Sequence, residues 1–428
     1  MRVVVTSESR FARTRDGAIW TVHGPGATFF ARYLTAFDEV RVVARVAEVA
    51  TPPPDAVRVD ADGISVWPAP HYLGPAQYLR RRAAVVASVR ASAGDRDAVI
   101  LRAPTVFGAA LAQRCLRHGR PYALEVVSDP YDVFAPGAVR HPARPFLRAR
   151  ETARLRTLCR HAAAVAYVTE HQLQRRYPPG PRTRSTHYSS IHLPPAAFVA
   201  EPRPVRRAAG VPLLVSVGAL EQPYKGIDTL LHALARLGPD LPVRLVHVGD
   251  GRCRPDLERL CRRLGLAGRV TFAGTLPAGP AVRHHLDQAD LFVMPSRTEG
   301  LPKALVEAMA RGLPAVGTTV GGIPELLAAE DLVPPDDPDR LAGALRAMLG
   351  DPDRMARAGA RNHARAAGFD ERALAGRRAD FYRWVREAAE RPADGTPGPR
   401  RREPVGERRP VPETAAGPTP TTPPRALP

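Results

Sequence analysis

The chain has 428 residues, and its 62 Lys and Arg residues against 43 Asp and Glu give a formal net charge of +19. This length predicts two or three domains, and 44% apolar with 25% charged residues is typical of globular proteins, which excludes wholesale disorder. All but two of the cations are Arg, spread along the chain, whereas nucleic-acid-binding proteins concentrate charge in patches among aromatic side chains. Composition therefore argues against a nucleic-acid partner.

Cysteine spacing and hydropathy indicate the compartment. Cys115, Cys159, Cys253 and Cys261 form no C-x-x-C pair, which argues against a zinc site or a disulfide framework and favours a reducing compartment. The first residues turn polar after Val5, too soon for a signal peptide, and no apolar run approaches the ~18 residues of a membrane span. We therefore expect a cytoplasmic protein that at most rests on a membrane surface.

Short Val-rich runs alternate with helical patterns along the chain, which is typical of parallel sheets built from βαβ units. Such open sheets bind ligands at the carboxyl ends of their strands. The predicted strands lie near residues 2–6, 40–45, 97–101, 122–127, 163–168, 212–217, 243–248, 269–274, 289–294 and 314–317.

Changes of composition between these runs predict the domain boundaries. An N-terminal domain spans 1–195, a polar, Pro-containing linker 196–211, and a second domain 212–368. A helical pattern follows over 369–390. The Pro-, Gly- and Arg-rich stretch 391–428 cannot bury a core, so we predict a disordered tail.

The stretch 289–310 has the pattern of a buried strand, a short polar loop and a helix that the following Gly-Leu-Pro ends. Gly300 permits close backbone approach, and Pro302 suits the first helical position. Such a unit directs free N–H groups and the positive end of the helix at an anion, here a diphosphate. The spacing of Glu299 and Glu307 suits hydrogen bonds to hydroxyls at two places on one extended ligand.

Residues 213–327 resemble the donor domain of family 4 glycosyltransferases, whose E-x7-E signature matches Glu299 and Glu307. Tyr-Lys-Gly at 224–226 and the Ala-Met-Ala-x-Gly-x-Pro after the second Glu occur in the family's order. The resemblance implies an α/β protein of the GT-B fold: two Rossmann-like parallel-sheet domains face each other across a cleft, and a C-terminal helix crosses back to the N-domain. It also implies metal-independent, retaining transfer of a sugar from a UDP- or GDP-type nucleotide sugar, without a cofactor.

The resemblance implies a role for several residues of the second domain. Glu299 would lie against the transferred sugar and Lys225 against the diphosphate, both as catalytic residues, while Glu307 would bind the ribose and Thr275 would lie in the base-contacting loop. The family often has an Arg where this chain has Ala219, so either Lys225 acts alone or an Arg from elsewhere replaces it. The predicted donor-binding residues here are Gly218, Ala219, Lys225, Gly249, Thr275, Glu299, Gly300, Leu301, Pro302, Lys303 and Glu307.

Both lysines of the chain fall in these motifs. A compact ammonium suits a phosphate oxygen, which is our interpretation of Lys225. Lys303 either binds the donor or is a solvated residue at a helix start. Glu325 follows a second glycine turn, where it either contacts the ligand or interacts with the dipole of its own helix.

The N-terminal half contributes Gly24 and Gly26, in a glycine turn that the resemblance places near donor and acceptor. Many family members carry a His at the end of an N-domain strand, where this chain has Asp129. We predict a positioning or acid–base role for Asp129, against the alternative of a turn-forming Asp. Thr169 and Glu170 follow another strand end that faces the predicted cleft.

The acceptor is expected to be a small molecule, a glycan or a lipid-linked sugar. Seven arginines between 140 and 160, interspersed with apolar residues, are typical of a solvated helix in an Arg-rich chain, and contact with anionic membrane headgroups is the alternative hypothesis. Three other functions stay open: a nucleotide-sugar 2-epimerase-like isomerase, a non-catalytic sugar-nucleotide-binding partner, and a phosphorylase with lysine-bound pyridoxal phosphate, for which the chain is short. The sequence determines neither the donor base and sugar nor the acceptor.

Overall fold

Strands and helices alternate along most of the chain, as the Val-rich runs predict. The computed structural model describes residues 1–22, 24–136, 141–191, 193–202 and 210–391. Residues Met1–Arg391 form one compact unit. The predicted tail from 392 and residues 203–209 of the predicted linker lie outside the described residues, and the predicted domain boundaries stay a prediction.

The first sheet is built around β1, whose Val3, Val4 and Val5 are completely buried. Parallel strands β3 and β5 lie on one side of β1, and β6, β7, β8 and β9 follow in order on the other, while β2 and β4 form an antiparallel extension. The described strands are β1 (Arg2–Arg13), β2 (Ile19–Thr21), β3 (Glu39–Glu48), β4 (Val57–Arg58), β5 (Ile64–Pro70), β6 (Ala98–Ala103), β7 (Ala123–Val126), β8 (Ala164–Tyr167) and β9 (Arg184–His187).

The second sheet is entirely parallel, in the order β12-β11-β10-β13-β14-β15. The strand order therefore reverses between β10 and β13, which is where doubly wound sheets open a ligand crevice. The strands are β10 (Leu213–Val217), β11 (Arg244–Val248), β12 (Val270–Gly274), β13 (Leu291–Met294), β14 (Ala315–Thr318) and β15 (Leu332–Val333).

Helices cover the faces of both sheets, because parallel strands need crossover connections. Most follow a strand directly, as the alternating pattern predicts. They are α1 (Ala27–Ala31), α2 (Gly74–Ala91), α3 (Val106–Arg117), α4 (Pro130–Val133), α5 (Arg144–His161), α6 (Gln172–Arg176), α7 (Ile227–Leu237), α8 (Arg254–Arg263), α9 (Pro280–Gln288), α10 (Lys303–Ala310), α11 (Pro338–Leu349), α12 (Pro352–Ala366) and α13 (Glu371–Glu390).

The carboxyl edges of the two sheets face each other. A Cβ on Gly300, after β13, would lie 2.5 Å from the Val127 carbonyl oxygen, after β7. A Cβ on Gly322, after β14, would lie 3.1 Å from the Thr169 methyl group, after β8. The ligand-binding edges of both sheets therefore line one cleft, as the predicted fold requires.

The C-terminal helix α13 crosses back to the first sheet. It packs against β6, β8 and β9, and the Tyr382 ring lies 4.8 Å from the Tyr33 ring. Arg386 donates to the Ala36 carbonyl oxygen at 2.7 Å. The predicted α/β architecture of the GT-B type, with its crossing helix, is confirmed.

Three other expectations bear on the described residues. No described helix is long and apolar enough to cross a membrane. Each of the four cysteines is a free thiol. Within the described ranges, no group of three or more His, Cys, Asp or Glu side chains is arranged to hold a metal ion.

Candidate active site

The first part of the site is the turn after β10. His247, on the neighbouring strand β11, is completely buried, and its Nε2–H donates to the Gly218 carbonyl oxygen at 2.9 Å. Burial lowers the pKa of His247 to about 4, so the imidazole is neutral at pH 7. Gly249 has a φ of +142°, and a Cβ there would lie 2.0 Å from the same carbonyl oxygen. His247 and Gly249 therefore fix the path of the Gly218 backbone.

Gly218 leaves room for the side chain of Lys225. A Cβ on Gly218 would lie 2.8 Å from Lys225 Cε, so the lysine stem passes directly over this glycine. Lys225 ends the 3-10 turn Pro223–Lys225, and Gly226 follows in the left-handed region with a φ of +66°. A Cβ on Gly226 would lie 2.0 Å from the Pro295 carbonyl oxygen, so the Tyr-Lys-Gly motif needs its glycine.

Arg297 clamps the Lys225-bearing turn to the second sheet. Its guanidinium forms a bidentate pair with Asp228, both bonds 2.8 Å long, and donates to the Pro223 carbonyl oxygen. Its backbone N–H donates to the Tyr224 carbonyl oxygen at 2.7 Å. Since Arg297 lies in the loop of the E-x7-E motif, this clamp fixes the two motifs relative to each other.

The clamp brings the two predicted catalytic residues of this domain into contact. Lys225 Nζ donates to Glu299 Oε1 at 2.6 Å, and the Ser296 hydroxyl donates to the same oxygen at 2.7 Å. The side chains of Lys225 and Glu299 are 16% and 9% exposed. A cation and a carboxylate that lie this close at a cleft can act on adjacent groups of one ligand.

The N-terminus of α10 lies beside this pair. Pro302 is its N-cap residue, and no side chain caps the first turn. The first backbone N–H groups of α10 therefore lack a side-chain partner and, with the positive helix end, offer the donors that an anion requires. The helix ends at Ala310, with Arg311 as its C-cap residue before Gly312, whose φ is +72°, close to the end predicted from the sequence.

Lys303, the first residue of α10, faces the N-domain across the cleft. Its side chain is open to solvent but crowded by protein, and this partial desolvation, followed by the guanidinium groups of Arg102 and Arg32, lowers the pKa of its ammonium group. Arg102 Nε lies 3.3 Å from the buried carboxylate of Glu125. Lys303 thus faces the N-domain and is also solvated, so donor binding and a solvated helix start both stay predictions for this residue.

Glu307 is one helical turn after Lys303, on the same face of α10. Burial raises the pKa of its carboxyl group, while Lys303 and Arg283 lower it. Further along the sheet edge, the Gly249 N–H donates to the Gly274 carbonyl oxygen at 2.8 Å, which joins the loops after β11 and β12. Thr275 comes directly after this contact and is exposed.

The other predicted residues lie apart from this group or add little to it. Ala219 is exposed and offers no cation. The Gly24 N–H donates to the Thr21 hydroxyl at 2.8 Å, and a Cβ on Gly26 would lie 3.2 Å from the Arg58 carbonyl oxygen. These contacts show a tightly packed turn in the N-domain, and the described contacts do not join it to Lys225 or Glu299.

Asp129 is buried in a network of the N-domain. It caps α4 by accepting from the Tyr131 N–H at 2.9 Å, and it also accepts from the Tyr177 hydroxyl and pairs with Arg176. Its side chain is completely buried, so the geometry fits the alternative of a structural Asp better than an acid–base role. The predicted catalytic role of Asp129 stays a prediction.

Glu325 joins the two domains. Its carboxylate accepts from the backbone N–H groups of Glu170, His171 and Gln172 at 2.6, 3.0 and 2.5 Å. Arg365 adds a 2.8 Å ion pair to Glu170. Glu325 lies in the first turn of its own 3-10 helix, Ile323–Glu325, as one sequence interpretation has it. It also caps the start of α6 across the cleft, a contact that neither interpretation includes.

Sequence reasoning missed four residues that shape the site. His247 gave one signal, a single polar residue inside an apolar strand, and Arg297 lies inside a recognised motif without belonging to its signature. Arg32 and Arg102 gave no signal, because arginines are frequent everywhere in this chain. Their approach to Lys303 depends on how the two domains meet, which no local pattern records.

Comparison with known proteins agrees with this geometry. Residues 211–351 match the family model of the group 1 glycosyl transferases. A D-inositol 3-phosphate glycosyltransferase from Nocardia farcinica is 36% identical over 197 residues, which cover 41% of this chain and 43% of that protein. The chain thus spans less than half the length of this relative.

Solved structures show the same fold. A sucrose-phosphate synthase from Thermosynechococcus elongatus superposes with a TM-score of 0.68 at 20% identity, over 91% of this chain and 100% of that one. HepE from Anabaena, in complex with UDP-glucose, superposes with a TM-score of 0.60 at 20% identity, over 89% of this chain and 98% of that one. Residues 211–351 therefore match the group 1 glycosyl transferase family, which agrees with the resemblance of the motifs in that stretch, and the chain has the GT-B fold.

Proposed function

We propose that the protein is a retaining glycosyltransferase. It transfers a sugar from a UDP- or GDP-type nucleotide sugar to an acceptor hydroxyl, and it requires neither a metal ion nor a cofactor. The main observation in support is the contact between Lys225 and Glu299 beside the N-terminus of α10, which no side chain caps. This arrangement offers a diphosphate a cation and free N–H donors, and it offers the sugar a carboxylate.

In the proposed complex, each of these residues binds a different part of the nucleotide-sugar donor. Lys225 leaves Glu299 and binds the diphosphate, while the N–H groups after Gly300 hold the phosphate and the sugar. Glu299 then accepts hydrogen bonds from sugar hydroxyls and stabilises the positive charge that develops on the ring. Glu307 accepts from the ribose hydroxyls. In this scheme the protein itself supplies the positive charge that stabilises the leaving diphosphate.

In the transfer, one bond to the anomeric carbon breaks and another forms on the same face of the sugar. The bond between the anomeric carbon and the diphosphate oxygen breaks, and its electron pair stays with the diphosphate. The acceptor oxygen bonds to the anomeric carbon on the same face, and its proton moves to the departing phosphate oxygen. Retention of configuration follows because both oxygens occupy that face. No side chain has to take the proton.

Three observations support this proposal. Residues 211–351 match the group 1 glycosyl transferase family, and a relative is a glycosyltransferase by name. HepE, which shares the fold, holds UDP-glucose. Lys225 and Glu299 are placed by contacts that their own motifs make, so the geometry does not depend on those relatives.

A cytoplasmic location and contact with the inner face of the membrane belong to the same proposal. Helix α5 exposes Phe146 to 65% among its arginines, which suits an anionic headgroup layer and the use of a lipid-linked acceptor. Flotation with phosphatidylglycerol vesicles at low salt tests this contact. Binding that does not depend on anionic lipid would contradict it.

The test of the function follows the fate of nucleotide sugars. UDP- and GDP-sugars are incubated with the protein and EDTA, first alone and then with acceptors, and NMR detects the free nucleotide and the anomeric configuration of the product. We expect release of UDP or GDP and a product with the donor's configuration. An inverted product or an EDTA-sensitive rate refutes the proposed chemistry. A 2-epimer without transfer indicates the isomerase, and binding without turnover indicates a non-catalytic partner.

A further inference from the structure

A buried hydroxyl lies between the end of β13 and the carboxylate of Glu299. Ser296 comes two residues after Met294, the last residue of β13, and it is 1% exposed. A buried polar group needs a hydrogen-bond partner, and most side-chain hydroxyls take a backbone oxygen or water. The Ser296 hydroxyl instead donates to Glu299 Oε1 at 2.7 Å. Its bond is therefore made to the predicted catalytic carboxylate itself.

The backbone around this hydroxyl is fixed on two sides. Thr318, at the end of β14, is 2% exposed, and its hydroxyl donates to the Ser296 carbonyl oxygen at 2.6 Å. The next residue, Arg297, donates its N–H to the Tyr224 carbonyl oxygen at 2.7 Å. These bonds hold Ser296 in place, so its hydroxyl is a fixed donor for Oε1.

The backbone of Glu299 is fixed as well, by the turn after β14. The Gly322 N–H donates to the Gly300 carbonyl oxygen at 2.7 Å. Gly321 has a φ of +52°, and a Cβ there would lie 2.0 Å from the Glu299 carbonyl oxygen, so the two turns pack closely. The freedom left to Glu299 is the rotation of its side chain, and a long side chain loses much entropy when it is ordered. The bond from Ser296 restricts this rotation.

The two oxygens of the Glu299 carboxylate have different environments. Oε1 accepts from Lys225 Nζ, at 2.6 Å, as well as from the Ser296 hydroxyl. Of the residues that the structure describes, none donates a hydrogen bond to Oε2. Since each carboxylate oxygen has its own acceptor sites, Oε2 is open to a sugar hydroxyl even while Oε1 is occupied.

We infer that Ser296 is a positioning residue, which keeps Glu299 directed at the sugar once the diphosphate has taken Lys225. The inference rests on the proposed function, in which Lys225 leaves Glu299 for the donor. Without Ser296 the carboxylate would then lose both of its donors, and its side chain would be free to rotate. With Ser296, Oε1 stays held and Oε2 faces the ring. Ser296 itself touches neither the donor nor the acceptor.

This role predicts a loss of kcat rather than a rise of KM. The charge that Glu299 stabilises develops in the transition state, so a misplaced carboxylate slows the reaction and leaves ground-state binding of the donor little changed. Ser296→Ala loses one hydrogen bond to a charged group but keeps the carboxylate, so kcat should fall about tenfold and the donor KM should change less than about twofold. Ser296→Thr keeps the hydroxyl, and its kcat should be closer to that of the wild type than to that of Ser296→Ala.

Ser92→Ala is the matched control for the loss of a buried hydroxyl. Ser92 is the completely buried C-cap residue of α2, and its hydroxyl donates to the Val89 carbonyl oxygen at 2.7 Å. The control variant loses a bond of the same length in the N-domain and should keep the kcat and KM of the wild type. Each kcat is scaled by the folded fraction measured by circular dichroism. A wild-type kcat in Ser296→Ala, or an equal loss of kcat in Ser92→Ala, overturns the inference.

A double-mutant cycle tests whether Ser296 acts through Glu299. Glu299→Ala removes the carboxylate, so in this background Ser296→Ala should change kcat less than about twofold. A serine that only stabilised the loop would lower kcat by the same factor in both backgrounds. Losses that multiply in the double variant therefore overturn the inference.

The same kinetics separate this inference from the proposed function. If the wild type turns over neither UDP- nor GDP-sugars, the proposed function is wrong and this inference is refuted as well. If the wild type transfers sugar and Glu299→Ala slows the transfer while Ser296→Ala does not, this inference alone is wrong.

Discussion

Removing the Glu325 carboxylate should loosen the junction between the two domains. This carboxylate accepts three backbone N–H groups at the start of α6, across 153–155 residues of sequence. A hydrogen bond to a charged group contributes ~1.5–3 kcal/mol. Because the three donors share one carboxylate, we count about two such bonds at the lower value. Glu325→Ala should then cost about 3 kcal/mol.

That free energy corresponds to a shift of roughly 150-fold in the equilibrium between the joined and the separated junction. Hydrogen exchange measures it at the junction itself. The amides of residues 170–172 should exchange about 150-fold faster in Glu325→Ala than in the wild type. Glu325→Gln loses the charge and one acceptor oxygen but keeps the other, so it should show a smaller increase.

A matched control distinguishes this effect from a general loss of stability. Glu330 lies five residues further on, is 61% exposed and pairs with Arg361 of the same domain. Glu330→Ala should leave exchange at 170–172 unchanged. Equal protection of these amides in the wild type and Glu325→Ala would show that the carboxylate does not hold the junction.

Three further predictions concern stability, donor binding and the C-terminus. The unfolded chain binds a proton at the ordinary His pKa of 6.5, while folded His247 binds one only near 4. The free energy of unfolding should therefore fall by about 3 kcal/mol as the pH drops from 6.5 to 4. Urea titrations at these pH values should show a smaller fall in His247→Gln than in His284→Gln, which replaces an exposed histidine as a control. Glu307→Gln should raise the donor KM and change kcat little, since ribose is held alike in ground and transition states, and an unchanged KM with a lower kcat would contradict this role. A chain that ends at 391 should keep its activity and its melting temperature. A chain that ends at 368 lacks α13, which packs on the first sheet, so its activity should be lost and its melting temperature should fall. Large losses in the chain that ends at 391 would indicate a role for the tail.

Much of the fold could be predicted because its strands are marked by local composition. All ten predicted runs coincide with described strands. β5 was missed because Pro68 and Pro70 are typical of loops, yet it pairs with β3 alone among the described strands, and an edge strand tolerates Pro. β1 extends to Arg13, well beyond the predicted end, because its polar second half pairs with β3 and β2.

In the site, too, local features could be predicted from the sequence and long-range contacts could not. Lys225, Glu299 and the start of α10 could be predicted because each belongs to a short motif whose backbone geometry is local. Contacts across the cleft could not be predicted, because Glu325 and the residues whose N–H groups it accepts are distant in the sequence. The sequence offers no pattern that brings Arg102 towards Lys303, or that pairs the buried Asp129 with Arg176.

The central claim is that Lys225 and Glu299 act at different points of one nucleotide-sugar donor, and titration calorimetry with UDP and GDP tests it most directly. Lys225→Met should weaken binding of the preferred nucleotide by about 10- to 150-fold, because a charge-assisted contact to phosphate is lost. Glu299→Gln should keep or increase that affinity, since it frees Lys225 from a 2.6 Å ion pair. Its kcat should still fall by ~10²–10³-fold. Loss of nucleotide binding in Glu299→Gln, together with unchanged binding in Lys225→Met, would contradict the account.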